Sequence, residues 1–161
     1  QQGAPALHYV GVFVNEQVEQ VAAIAQQLTL AAVQLHGEES DLYLQKLKPL
    51  LPAGCAIWKA YRVKDQLPEL SRHADRYLLD AFSDKAHGGT GQQFDWDLLD
   101  QRLLDKKVQL AGGLSPDNVA GALKHQILAL DLNSGVETAP GQKDPNKVQQ
   151  AFLQIREFSH E

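Results

Sequence analysis

The sequence predicts an α/β protein built on a parallel sheet, and two observations carry that prediction. A short apolar run, a loop containing glycine or a polar residue, and an amphipathic helix follow one another six times along the 161 residues. Each apolar run also gives way to polar residues or glycine: Asn15, His36, Lys59, Asp80, the pair Gly112 and Gly113, and residues 133–135. Antiparallel neighbours need no crossover helix, whereas parallel ones do, so six such units in succession imply parallel strands.

The first run covers residues 9–14, and Asn15 is placed to cap a helix whose apolar stripe is Val18, Val21, Ala22 and Ala25. The second run, 31–35, ends at His36 and Gly37; its helix starts near Ser40 and stops near Pro49, which has no amide hydrogen to continue it. The third run, 56–60, follows the turn signal of residues 52–54, and its helix over 66–73 is interrupted by Pro68. A fourth run, 77–79, ends at Asp80 and opens a polar loop through Gly91 before a helix over 96–104. The fifth is 108–111. After Gly112 and Gly113, Ser115 and Pro116 read as a cap and a first helical residue, with Val119, Ala122 and Leu123 on the buried stripe. The sixth strand, 127–132, leads through a loop to Asp144 and Pro145, where a last helix carries Val148, Ala151, Phe152 and Ile155 on one face.

With 43% hydrophobic residues, the chain is in the range of one ordinary domain with a sizeable core. The net charge of -5 comes from interspersed acids and bases, so no basic stripe is available to neutralise a phosphate backbone and nucleic acid is not an expected partner. No run of eighteen apolar residues occurs, and the start lacks the basic flank and apolar stretch of a signal peptide, so the expectation is a cytoplasmic protein without a membrane partner. Cys55 is the single cysteine, and the six histidines lack the short spacings of a zinc or iron site, so neither an internal disulfide nor a structural metal is expected. Cys55 opens a strand and reads as a small core residue rather than a nucleophile.

Two architectures fit six units. Length favours an open doubly wound sheet, because a closed parallel barrel needs eight strands and usually about 200 residues or more. The polar strand exits favour the ring, which gathers them on one face.

Glycine-rich segments 111–119 and 133–137 follow the last two strands, and bare backbone amides at such exits suit a phosphate, although tight turns alone would also use glycine. Asp80 ends an apolar strand beside the glycine loop 87–91, which can fold over a ligand; a partly desolvated carboxyl there suits a general acid, and a loop-capping role is the plainer alternative. His36 can hydrogen-bond a ligand or simply satisfy its own loop. Asp131 lies within an apolar strand, where an unpaired carboxylate is costly, so it faces a polar site or pairs with Lys59.

Five segments, 10–15 (VGVFVN), 32–39 (AVQLHGEE), 78–96 (LLDA followed by GGTGQQFDW), 110–119 (LAGGLSPDNV) and 131–144 (DLNSGVETAPGQKD), together resemble phosphoribosylanthranilate isomerase, in that family's order and across essentially the whole chain. The resemblance implies the (β/α)8 TIM barrel family, with the first strand here similar to the family's third. About six β/α units, strands three to eight, would then make a single partial barrel domain over residues 1–161.

The implied activity is an aldose-ketose isomerisation of tryptophan biosynthesis without a cofactor. In this Amadori rearrangement, N-(5-phosphoribosyl)anthranilate becomes 1-(2-carboxyphenylamino)-1-deoxyribulose 5-phosphate. Asp80 matches the general acid; Gly112, Gly113, Ser134 and Gly135 match the phosphate cradle; His36 and Asp131 match the pocket lining, and Gly89 and Gly91 the substrate loop. The family's general base, a cysteine in a KICG-type motif, and an arginine on its second strand's loop have no match here, and Cys55 does not fit that motif. The expectation is therefore negligible turnover by these 161 residues alone, with open sheet edges that favour self-association, or fusion to a neighbouring pathway enzyme. A non-catalytic phosphate-ligand binder is the alternative of another class. Another phosphosugar barrel enzyme, such as a lyase or an epimerase, is a third; against the epimerase stands the lack of paired His and Asp metal ligands.

Overall fold

The computed structural model describes residues 7–63, 66–81, 107–125 and 127–158. Six strands, β1 (Val10–Phe13), β2 (Ala32–Leu35), β3 (Ala56–Val63), β4 (Arg76–Ala81), β5 (Val108–Ala111) and β6 (Ala129–Leu130), stand in chain order in one sheet. That order has no reversal. A doubly wound sheet reverses direction at its switch point, whereas the strands of a β/α barrel follow one another around it, so the strand order removes the open-sheet alternative. Among the described residues no helix is long and apolar enough to cross a membrane.

The chain divides into two compact units, Gln1–Ala60 with Leu70–Tyr77, and Tyr61–Glu69 with Leu78–Glu161. In the first, β1, β2 and β3 pair in parallel, with Val10 opposite Ala32 and Leu35 opposite Lys59. Helices α1 (Val18–Gln27) and α2 (Asp41–Leu47) pack with the sheet, and Val21, Ala25, Val33, Leu35, Leu44, Leu47 and Ile57 form a fully buried core. Ser40 caps α2 as the sequence predicts, its hydroxyl accepting the amide of Tyr43 at 3.3 Å.

Asn15 does not cap α1. Gln17 occupies that position without a side-chain bond, while Asn15 sits in the left-handed region at φ 52° and its amide oxygen accepts from the backbone of Glu38 instead. The expected helix over 66–73 is absent from the described residues 66–73: Pro68 withholds an amide, and Ser71 Oγ takes the amide of His73 at 3.1 Å, a local bond that competes with helix. Cys55 is buried in the core, and that burial pushes its thiol pKa up.

In the second unit β5 and β6 pair in parallel, Leu110 opposite Leu130, and α3 (Val119–Leu123) packs on α4 (Pro145–Phe158). Helix α3 begins three residues after Pro116, because Ser115 and Asn118 bond each other in a turn rather than opening the helix. Strand β6 is only two residues long, so Asp131 lies just beyond it rather than inside it. A 3-10 turn (Ser134–Val136) and a short antiparallel hairpin, β7 (Glu137–Ala139) and β8 (Gln142–Lys143), occupy what the sequence reads as loop. Gly141, at φ 78°, closes its two-residue link. Asp144 then caps α4, its carboxylate accepting the amide of Asn146 at 2.8 Å, with Pro145 at the first helical position. Ala151 is the buried residue of α4, whereas Phe152, expected on the buried face, is 57% exposed.

Candidate functional site

The first unit gathers the exits of β1, β2 and β3 into one buried polar knot. Lys59, on β3 opposite the end of β2, sends its ammonium to Glu39 Oε2 at 2.8 Å and to the carbonyl of Gly37 at 2.6 Å. Glu39 Oε1 in turn accepts the amides of Asn15 at 2.8 Å and Gly37 at 3.2 Å. Both charged side chains are withdrawn from water, at 5% and 1% exposure. Burial pushes the Glu39 carboxyl pKa up, but the bonds from Lys59 and from the Asn15 amide outweigh it and hold the group below the ordinary glutamate range. Only a fully bonded pair tolerates such desolvation, and here both ends are satisfied.

His36 leaves β2 into this knot. Its amide donates to the carbonyl of Phe13 at 2.9 Å, and its Nε2 meets the side-chain nitrogen of the buried Gln34. Gly37 is glycine for a steric reason: a β-carbon there would stand 2.2 Å from Asn15 Oδ1 and 2.7 Å from the Asn15 backbone nitrogen.

The second unit brings the glycine exits of β5 and β6 together. Gly112 and Gly113 take successive left-handed conformations, φ 77° and 65°, which glycine adopts without the penalty of a side chain. Asn118 brackets them, accepting the Ser115 amide at 2.9 Å and donating to the Gly113 carbonyl at 2.9 Å. Gly135, in the 3-10 turn with Ser134, lies so close to this loop that a β-carbon would stand 1.8 Å from the Leu114 carbonyl oxygen. Lys143 fastens the same turn from behind, bonding the Asn133 carbonyl at 3.0 Å, the Asn133 side chain and Glu137 at 2.6 Å.

Two acids of the sequence reading belong to this second unit. Asp80 is half-buried, with β4 running one residue past it to Ala81. Asp131 is half-buried and donates its amide to the Leu110 carbonyl at 2.7 Å, which ties the β6 exit to β5. Gly89 and Gly91, with the loop and helix expected around them, lie outside the described residues. Sequence reasoning missed Glu39, Asn118 and the inward turn of Lys59. An acid and a base that must both be buried near strand ends were the available signal, but spacing alone did not say which of Glu38 and Glu39 turns inward.

A parallel sheet in chain order, with glycine and polar residues at its exits, defines an α/β protein of the β/α barrel type. The family model for N-(5'phosphoribosyl)anthranilate (PRA) isomerase matches residues 1–154, and the chain belongs to that family. Among curated relatives, the tryptophan biosynthesis protein TrpCF of Vibrio cholerae is 54% identical over 97% of this chain and 33% of its own length. That of Yersinia pestis is 50% identical over 97% and 32%. The chain thus spans about a third of the length of these relatives. Crystal structures of phosphoribosyl anthranilate isomerase from Thermus thermophilus (29% identity, TM-score 0.74, 96% of this chain and 74% of that one) and Thermotoga maritima (32%, 0.73, 97% and 76%) share the fold. A further isomerase structure, in complex with reduced 1-(o-carboxyphenylamino)-1-deoxyribulose 5-phosphate, is 30% identical with a TM-score of 0.69, over 97% of this chain and 75% of that one.

Proposed function

We propose that this chain supplies the phosphate cradle, the general acid and part of the pocket wall of a phosphoribosylanthranilate isomerase of tryptophan biosynthesis. The observation that carries the reading is the packing of Gly135 on Leu114: it joins two glycine-built strand exits, so backbone amides from both loops can serve one phosphate. The relatives' names and the ligand held by the neighbouring isomerase structure support the same substrate class.

In this reading Asp80 protonates the furanose ring oxygen, the C1–O bond breaks, and the anilino nitrogen lone pair forms the C1=N bond of a Schiff base. A base then removes the C2 proton, whose electrons form the enolamine that tautomerises to the ketose. Cys55 is not that base. It is a core residue whose burial disfavours the thiolate, and a thiol kept protonated takes no proton. By resemblance, His36 and Asp131 match positions that line the family's substrate pocket, and Gly89 and Gly91 match its substrate loop. No cofactor enters, and the proposed setting is cytoplasmic. Relatives about three times as long as this chain suit a second pathway enzyme on the same polypeptide.

Calorimetry of residues 1–161 with reduced 1-(o-carboxyphenylamino)-1-deoxyribulose 5-phosphate tests the reading. Saturable binding that inorganic phosphate competes away is expected; silence at millimolar ligand would overturn it. Turnover of phosphoribosylanthranilate by the same 161 residues is expected to fall short of that of the longer relatives by about 100- to 10,000-fold, the usual contribution of a general base. Rates equal to theirs would show that a base lies within these residues after all.

A further inference from the structure

The first unit contains a buried ion pair that the proposed chemistry does not use. Lys59 and Glu39 are among the most deeply buried charged groups of the described residues. A buried pair is seldom a net source of stability, since an apolar pair of the same volume often serves as well or better. Its position points to another role. Gly37 is held at both of its backbone polar groups, the amide by Glu39 and the carbonyl by Lys59. On one side of it the His36 amide is fixed to Phe13, and on the other the Glu38 amide is fixed to Asn15. Asn15 is itself fixed through its own amide to Glu39. The His36 and Gly37 amides belong to the two peptide units that flank His36, and the Gly37 carbonyl and Glu38 amide to the next one, so these bonds hold the backbone from Leu35 to Glu38, while the Gln34 side chain meets the ring.

We infer that Lys59 and Glu39 are positioning residues, whose ion pair sets the backbone at His36 for the anthranilate-bearing ligand. The inference rests on the function proposed above, since it takes His36 as pocket wall. Geometry explains why charge is used here. Three strand exits must be tied through two amides and one carbonyl, and a carboxylate with an ammonium offers two acceptors and three donors at one point. A hydrophobic pair could fill the same volume but would leave the Asn15 and Gly37 amides and the Gly37 carbonyl without partners.

The test compares two probes on residues 1–161: reduced 1-(o-carboxyphenylamino)-1-deoxyribulose 5-phosphate, and inorganic phosphate, which needs only the glycine exits of the second unit. Lys59→Met is expected to weaken the first by about ten- to a hundredfold, the usual effect of displacing a placed group by about an ångström, and to leave phosphate affinity within about twofold. Backbone amide NMR shifts of His36 and Gly37 should move in Lys59→Met, since both amides belong to the segment that the pair holds. Should Lys59→Met lose cooperative unfolding, Asn15→Gly keeps both charges, adopts φ 52° freely and removes only the acceptor for Glu38; its expected effect is a fall of about tenfold for the first probe alone. Unchanged affinity for the first probe in a folded variant overturns the inference, and so does a parallel loss of both probes, the mark of a merely structural pair. Failure of the unsubstituted chain to bind the first probe is a different result, and it strikes the proposed function itself.

Discussion

Replacing Gly135 by alanine isolates the one contact on which the phosphate cradle depends. The new β-carbon would stand 1.8 Å from the Leu114 carbonyl oxygen, 2.8 Å from its carbon and 3.1 Å from Ser115 Cα, all backbone atoms that no rotamer change can move. A carbon and a carbonyl oxygen come no closer than about 3.3 Å in ordinary contacts, so the Ser134–Val136 turn and the loop after β5 must part by about 1.5 Å. Functional groups need placing within about 0.5 Å, which makes that separation about three times the tolerance. Phosphate affinity should fall by about a hundredfold, equivalent to about 2.7 kcal/mol, while overpacking costs the fold a further ~1–3 kcal/mol. Isothermal calorimetry with inorganic phosphate measures the first, and thermal unfolding by circular dichroism the second. The control is Gly141→Ala, in the hairpin link outside the cradle, where an added carbon meets nothing within 4 Å and only the left-handed φ of 78° is strained. If Gly135→Ala binds phosphate as the unsubstituted chain does, the two glycine exits do not form one cradle and the functional reading loses its support.

Two further outcomes follow from the same geometry. The Glu39 carboxyl is held below the 4.5 of an ordinary glutamate when folded, so its contribution to stability is complete above about that pH and is lost as pH falls through the lower, folded value. The thermal midpoint should therefore be level from pH 7 to about 5 and drop below about 4.5, with a shallower acid slope in Glu39→Gln; equal slopes would mean the pair is not formed in solution. Strand β1 stands at one end of the sheet, with Val12 on it and Val14 just past it more than 60% exposed, and an apolar strand edge is a template for pairing, so residues 1–161 should self-associate in sedimentation equilibrium with a concentration-dependent mass. A single 17.7 kDa species from micromolar to millimolar concentration would contradict that.

Local signals carried most of the fold. The apolar runs at β2 and β5, the Ser40 cap and the Asp144–Pro145 start of α4 depend on neighbours a few residues away, and the sequence states them directly. Where a side chain had two possible partners, the distant one decided. Asn15 looks like a helix cap beside Val18, yet Glu38 and Glu39, 23 and 24 residues on, take its side chain and its amide and turn it into the left-handed region. Ser115 and Pro116 carry every mark of a helix start, but Asn118 bonds back to Ser115 and Gly113 and postpones α3 to Val119. Phe152 has the spacing of a buried stripe and faces water, since burial depends on what packs over a helix and not on its own period.

The site shows the same division for a physical reason. Glycine at a strand exit announces itself, because few residues tolerate positive φ, and so Gly112 and Gly113 are legible in the sequence as loop chemistry. A positioning charge announces nothing. Lys59 reads as a polar end to an apolar run, and Glu39 as one of two adjacent acids; only a parallel register that sets Leu35 beside Lys59 brings the ammonium within reach of the loop that follows β2. Shifting β3 by one residue against β2 would turn the Lys59 side chain to the opposite face of the sheet and leave Glu39 buried without a counter-charge, a loss of several kcal/mol. The ion pair therefore acts on the fold as well as on His36, by penalising every register except the one in which the exits of β1, β2 and β3 meet.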